Sequence, residues 1–164
     1  MYEVDDKDFV REITDLRQCD VGAPAPMVLA GEHDVFLAYY LQGKLEEKND
    51  YQSFYDVAIV KFKGCYAHMF GPPNDEAFHG HPLSSRGLHP CGVFEIKESS
   101  WLRKLERMNS VHPYHNKERF IGRFHHFIFS FHDTTFECIA ESFDIVIKRG
   151  SIKSMIPHML ESIR

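Results

Sequence analysis

The sequence has no clustered positive charge. Its 19 Lys and Arg are scattered among 24 Asp and Glu, and the formal net charge is -5. Only Arg103-Lys104 and Lys148-Arg149 sit side by side. Nucleic acid and anionic membrane surfaces are recognised by basic residues gathered on one face, so the chain is expected to bind neither. The start, Met1-Tyr2-Glu3-Val4-Asp5-Asp6, lacks the basic and apolar stretches of a secretory leader. No apolar run approaches the roughly 20 residues of a membrane span. None of the four cysteines, Cys19, Cys65, Cys91 and Cys138, forms a C-x-x-C pair, which argues against a zinc knuckle or a thioredoxin-type motif. H-E-x-x-H, G-x-S-x-G, phosphate-loop and dinucleotide fingerprints are also missing. These absences predict a cytoplasmic protein with four reduced thiols.

What is present is aromatic residues and histidine. The chain carries 14 Phe, 7 Tyr and 11 His in 164 residues. This length suits one domain, residues 1–164, large enough to bury a core without cross-links. Aromatics favour strands and bury large areas.

Phe9, Ile13 and Leu16 lie at helical spacing behind Asp5 and Asp6, which predicts an N-terminal helix. Strands are expected at 27–30, 35–41, 57–62, 65–70 and 93–96, with 65–70 as hairpin partner of 57–62. Residues 44–53 read as a loop. Residues 71–92 form a long irregular stretch, a type of segment that is often functional. Ser99 or Ser100 caps a middle helix bearing Trp101, Leu102, Leu105 and Met108. Residues 124–147 form a long hairpin. Ile152, Met155, Ile156, Met159, Leu160 and Ile163 mark a C-terminal helix, with Ser154 as cap so that Pro157 falls in the first turn. The fold class is α+β: a mainly antiparallel sheet with an N-terminal, a middle and a C-terminal helix.

The hairpin separates its residue types. With a turn at Asp133-Thr134, or a four-residue loop from His132 to Thr135, Phe131 faces Phe136, His126 faces Glu141 and Ser130 faces Glu137. Phe127, Phe129, Phe131, Phe136, Cys138 and Ala140 then share an apolar face. His126, Ile128, Ser130, His132, Thr135, Glu137, Ile139 and Glu141 share the other. A one-residue slip would mix the two sets. The polar face reads either as a solvated surface with cross-strand ion pairs or as the floor of a cleft.

The stretches Gly71-Pro72-Pro73-Asn74-Asp75-Glu76, Gly80-His81-Pro82-Leu83, Ser99-Ser100-Trp101 and Phe131-His132-Asp133-Thr134-Thr135-Phe136-Glu137-Cys138 resemble motifs of a group of small bacterial proteins. The resemblance spans residues 71–138. It implies a bacterial, cytosolic protein and carries over no catalytic residue.

Three functions are compatible with these residues. The first is a binding protein whose ligand sits where the 71–92 stretch meets the polar hairpin face, held by His79, His81, Arg86, His126, His132, Glu137 and Glu141. The second is a metal-dependent hydrolase or oxygenase, with His79, His81, His132 and Glu137 holding a divalent zinc or iron ion, since imidazole plus carboxylate is the ligand set of such centres. The third is a module that binds a protein partner or a second copy of itself, such as an inhibitor or immunity-type protein. Cys91, close to His89, is the better-placed thiol for nucleophilic chemistry, but no base or orienting group accompanies it. The geometry expected of the first two readings is His79 or His81 beside His132 or Glu137.

Overall fold

The computed structural model describes residues 2–43 and 55–163; the expected 44–53 loop falls outside these residues. Among the described residues there are nine strands, β1 (Phe9–Glu12), β2 (Met27–Ala30), β3 (Val35–Tyr40), β4 (Tyr55–Lys63), β5 (Ala67–Gly71), β6 (Val93–Lys97), β7 (His125–Ser130), β8 (Thr135–Ala140) and β9 (Ser142–Gly150). The helices are α1 (Ser100–Asn109), α2 (Lys117–Arg123) and α3 (Ile152–Glu161). All strand pairings are antiparallel, in one sheet of order β1-β6-β7-β8-β5 and another of order β2-β3-β4-β9.

The sheets pack face to face because each has an apolar inner row. Val35, Leu37, Tyr39, Ala58, Val60 and Phe62 from one sheet meet Phe127, Phe129, Phe131, Phe136, Cys138 and Ala140 from the other. Phe62 alone packs its ring against those of Phe127, Phe129, Phe136 and Phe143. Each such buried ring contributes roughly 1.5–3 kcal/mol.

The four-stranded sheet is apolar on its outer side as well. Phe36, Ala38, Val57 and Ile59 lie beneath Ile152, Met155 and Met159 of α3. This helix is capped by Ser151, not Ser154. Ser154 instead completes a reciprocal capping box, and Pro157 lies inside the helix. Leu160 points outward, 54% exposed.

The chain changes sheets at a double corner. The β4–β5 connection crosses at Gly64-Cys65-Tyr66, and the β8–β9 connection crosses beside it at Glu141. The Glu141 amide donates to Lys63 O at 3.0 Å, and the Tyr66 amide donates to Ile139 O at 2.7 Å. A Cβ on Gly64, whose φ is +56°, would lie 2.3 Å from Glu141 Oε1. The positive φ favours glycine there, and a larger residue would also have to displace the Glu141 side chain.

Several expectations are corrected. Residues 9–12 are a strand paired with β6, not an N-terminal helix. Asp8 explains this locally: its carboxylate takes the Asp5 and Ser100 amides, so the acidic segment folds back on α1 instead of winding. Residues 67–71 pair with β8 rather than with β4, because the corner at Gly64 sends them into the other sheet. The 124–147 hairpin is β7–β8, and its last part continues as β9 against β4. Met108 is exposed, and α2, capped by Asn116, follows a turn rich in exposed residues.

Candidate functional site

In the β7–β8 hairpin Ser130 faces Thr135 and Ile128 faces Glu137. The register therefore differs by two residues from the expected one. His126 faces Ile139, not Glu141, and the connecting loop is 131–134, closed by the Phe131 amide on Thr134 O at 2.9 Å. A slip of two preserves the faces, so the apolar row still looks inward. The other row is neither a solvated surface nor a cleft floor. His126, Ile128, Ser130, Thr135, Glu137 and Ile139 are all buried.

They are covered by the 72–92 segment, α1, α2 and the N-terminal residues. The segment contains two short 3-10 turns, Phe78–Gly80 and Ser84–Arg86, and inserts Phe78, Leu83 and Leu88 against Phe94, Ile96 and Ile128. Polar contacts attach it along the hairpin. Thr135 donates to Pro73 O at 3.0 Å, and the Asp75 amide donates to His132 O at 2.8 Å. His132 Nδ1 meets Asp75 Oδ2 at 2.6 Å, and Ser130 donates to His89 O at 2.7 Å.

At the centre lies Glu137. Its Oε1 is 3.1 Å from His81 Nε2, and its Oε2 is 3.1 Å from His126 Nε2. Tyr2 donates its hydroxyl to Oε2 at 2.7 Å. The Leu83 amide donates to His81 Nδ1 at 3.1 Å, which places the ring hydrogen of His81 on Nε2, facing Glu137. Ser99 caps α1 by accepting the Leu102 amide at 3.1 Å and lies 2.8 Å from His126 Nδ1. Its hydroxyl hydrogen can thus fill that nitrogen, leaving the His126 hydrogen on Nε2. Trp101 stacks on Tyr2, with ring centroids 5.4 Å apart, and closes the network from α1.

Burial alone would raise the Glu137 carboxyl. The hydrogen bonds from His126 and His81 outweigh it and hold the group at about 2. Burial and the neighbouring carboxylate raise the Tyr2 hydroxyl. Three donors fill three of the carboxylate's roughly four lone-pair positions, and Glu137 is 4% exposed, so it is closed off from solvent. The arrangement is a staple fixing three chain segments to the sheet.

The proposed site residues therefore divide. His81, His126 and Glu137 come together. His132 pairs separately with Asp75, which raises its pKa through the hydrogen bond and the charge. His79 is exposed, and only its carbonyl is engaged, by Ser84 at 3.0 Å. Arg86 donates to Asp8 O at 3.0 Å, and Glu141 pairs with Arg123. The metal set of His79, His81, His132 and Glu137 does not converge. Among the described residues, no group of three or more His, Cys, Asp or Glu is arranged to hold an ion.

A cavity lies elsewhere, at the end of the sandwich remote from the double corner. Its volume is about 380 Å³. Ile13, Leu16, Val93, Phe129 and Phe131 supply apolar wall, and Cys19, Tyr39, Cys91 and Ser130 also line it. At the rim His89 Nε2 lies 3.3 Å from Glu12 Oε1, and Arg17 pairs with Asp56 at 2.8 Å. The Tyr39 hydroxyl, in a residue 1% exposed, has no hydrogen-bond partner among the described residues. Burial raises its pKa, with the nearby Cys19 adding to the effect. Cys91 has φ +58°, a backbone conformation uncommon outside glycine. Among the sequence signals only Cys91 beside His89 pointed here, because the wall comes from four separated stretches of chain.

Comparison with known protein families, with curated proteins and with solved structures finds no match. Function has to come from the geometry alone.

Proposed function

We propose that the protein binds a small molecule with both apolar and polar groups in the cavity between the sheets. The observation that carries this reading is a cavity of about 380 Å³ lined in part by Tyr39, a residue whose buried hydroxyl has no partner among the described residues. Buried polar groups are normally paired, and exceptions call for a reason. Small-molecule sites combine apolar walls with a few such groups. The binding-protein reading is thus kept, but its ligand moves from the loop–hairpin junction to the cavity. The staple contributes indirectly. By fixing the 72–92 segment it sets the positions of His89 and Cys91 at the rim.

No helix among the described residues is long and apolar enough to cross a membrane. The four cysteines are free, which suits a reducing compartment, and we place the protein in the bacterial cytoplasm.

The test is an NMR titration of the ¹⁵N-labelled protein with phenol, indole and toluene. Shifts are expected at Val93, Phe129 and Phe131 and should vanish in Val93→Trp, which fills the space. Tyr39→Phe should narrow the preference for phenol over toluene. Shifts centred on His81 and Glu137, or unchanged binding by Val93→Trp, would overturn the reading.

A further inference from the structure

The four thiols occur as two neighbouring pairs in different settings. Cys65 and Cys138 adjoin inside the closed core, where the Cys65 thiol donates to Ala67 O at 3.5 Å. Cys19 and Cys91 both line the cavity and lie close to one another. Cys91 is half-buried, so this second pair is reachable from the cavity. Thiols ordinarily hold their protons near neutrality. Protonated thiols react slowly with alkylating agents and peroxides. A bound metal ion overrides this, because coordination itself drives off the proton.

We propose that Cys19 and Cys91 form a two-thiolate site in the cavity wall for a soft monovalent cation, of the chemical class of copper(I). Soft sulfur ligands select copper(I), zinc and iron–sulfur clusters. Zinc is almost always held by four protein ligands in structural sites and by three in catalytic ones. The described residues offer no such group around this pair, so the donor set of two sulfurs suits a cation content with two ligands. On binding, both S–H bonds break, two S–metal bonds form and two protons leave to water. The ion is neither oxidised nor reduced. The product carries one net negative charge, and the Arg17 guanidinium lines the same cavity. The inference uses the cavity but does not require it to hold an organic ligand.

The test titrates the reduced protein anaerobically with copper(I) against bathocuproine disulfonate. The wild type should retain one equivalent and release two protons per ion in weak buffer. Cys91→Ser and Cys19→Ser should lose retention, with near-ultraviolet circular dichroism confirming that each is folded, whereas Cys65→Ser should keep it. X-ray absorption of the wild-type complex should show sulfur neighbours and no imidazole, a readout that needs no variant. Failure of the wild type to compete, retention by folded Cys91→Ser, equal retention of zinc, or imidazole in the first shell would each overturn the proposal.

Discussion

The two outer faces of the sandwich are closed by different chemistry. Over the four-stranded sheet, α3 lays Ile152, Met155 and Met159 on Phe36, Ala38, Val57 and Ile59. Over the five-stranded sheet, α1, the N-terminal residues and the 72–92 segment close on a line of polar groups centred on Glu137. Apolar contact is non-directional and tolerates small shifts of the covering helix. Hydrogen bonds to a buried carboxylate are directional, and losing one partner exposes the desolvation cost of the other. The irregular 72–92 segment has only two short 3-10 turns to organise it, so it needs the directional kind. The sheet under α3 can accept a preformed amphipathic cylinder.

The largest effect should come from breaking the polar cover. Glu137→Leu leaves two imidazoles and the Tyr2 hydroxyl without their acceptor and is expected to cost about 3–5 kcal/mol, measured by urea unfolding. Phe129→Ala, in the core shared by both sheets, should cost a similar ~3–5 kcal/mol. A Glu137→Leu protein as stable as wild type would show that the two covers do not differ as described.

The covers should also separate with pH. Glu137 is held at about 2 in the folded state against an ordinary 4.5. A depressed carboxyl contributes stability that is complete above its unfolded value and lost as pH falls through the folded one. The loss should fall between pH 4.5 and 2 and amount to something on the order of 3 kcal/mol. Glu137→Gln should remove this dependence, whereas Met159→Ala should retain it. Met159→Ala itself, on the apolar side, should cost about 2 kcal/mol, the low end for such truncations, because α3 can settle into the space. A steep acid dependence that persists in Glu137→Gln would assign the effect to other carboxylates.

The smallest effect belongs to the exposed end of the polar cover. Asp75 raises the pKa of His132. In Asp75→Asn the His132 titration, followed by the imidazole ¹H resonances, should move down toward the ordinary histidine value with little change in stability. No movement would mean that the pair does not persist in solution.

Much of this contrast was legible in the sequence, for a simple reason. Alternation has a period of two, so the inward placement of Phe127, Phe129 and Phe131 survived a register error of two residues. The meeting of His81 with Glu137 followed from the need of a long segment for partners. The register itself was not legible, because Asp133-Thr134 is a weak turn signal and the four-residue loop sits one pair earlier. Nor was the closure of the polar face, since nothing in the residues around Tyr2 announces that its hydroxyl reaches Glu137. The N-terminal helix was misread because Phe9, Ile13 and Leu16 fit a helical period by coincidence. Phe9 is 63% exposed in a strand, while Leu16 lines the cavity. The cavity, assembled from stretches around residues 12–19, 39, 89–93 and 129–131, leaves no local pattern at all.

The double corner at Gly64 and Glu141 has a mechanical consequence. Two chain crossings lie side by side at one end of the sandwich, held by main-chain bonds and turned at a glycine of positive φ. Strand β7 begins there, where His125 faces Ala140, and ends at the cavity, where Phe129, Ser130 and Phe131 line the wall. The sheets are thus pinned at both ends, at the corner by the two crossings and at the cavity by residues 13–20, whose Ile13 and Asp20 amides donate to Val93 O at 2.8 Å and Tyr40 O at 2.9 Å.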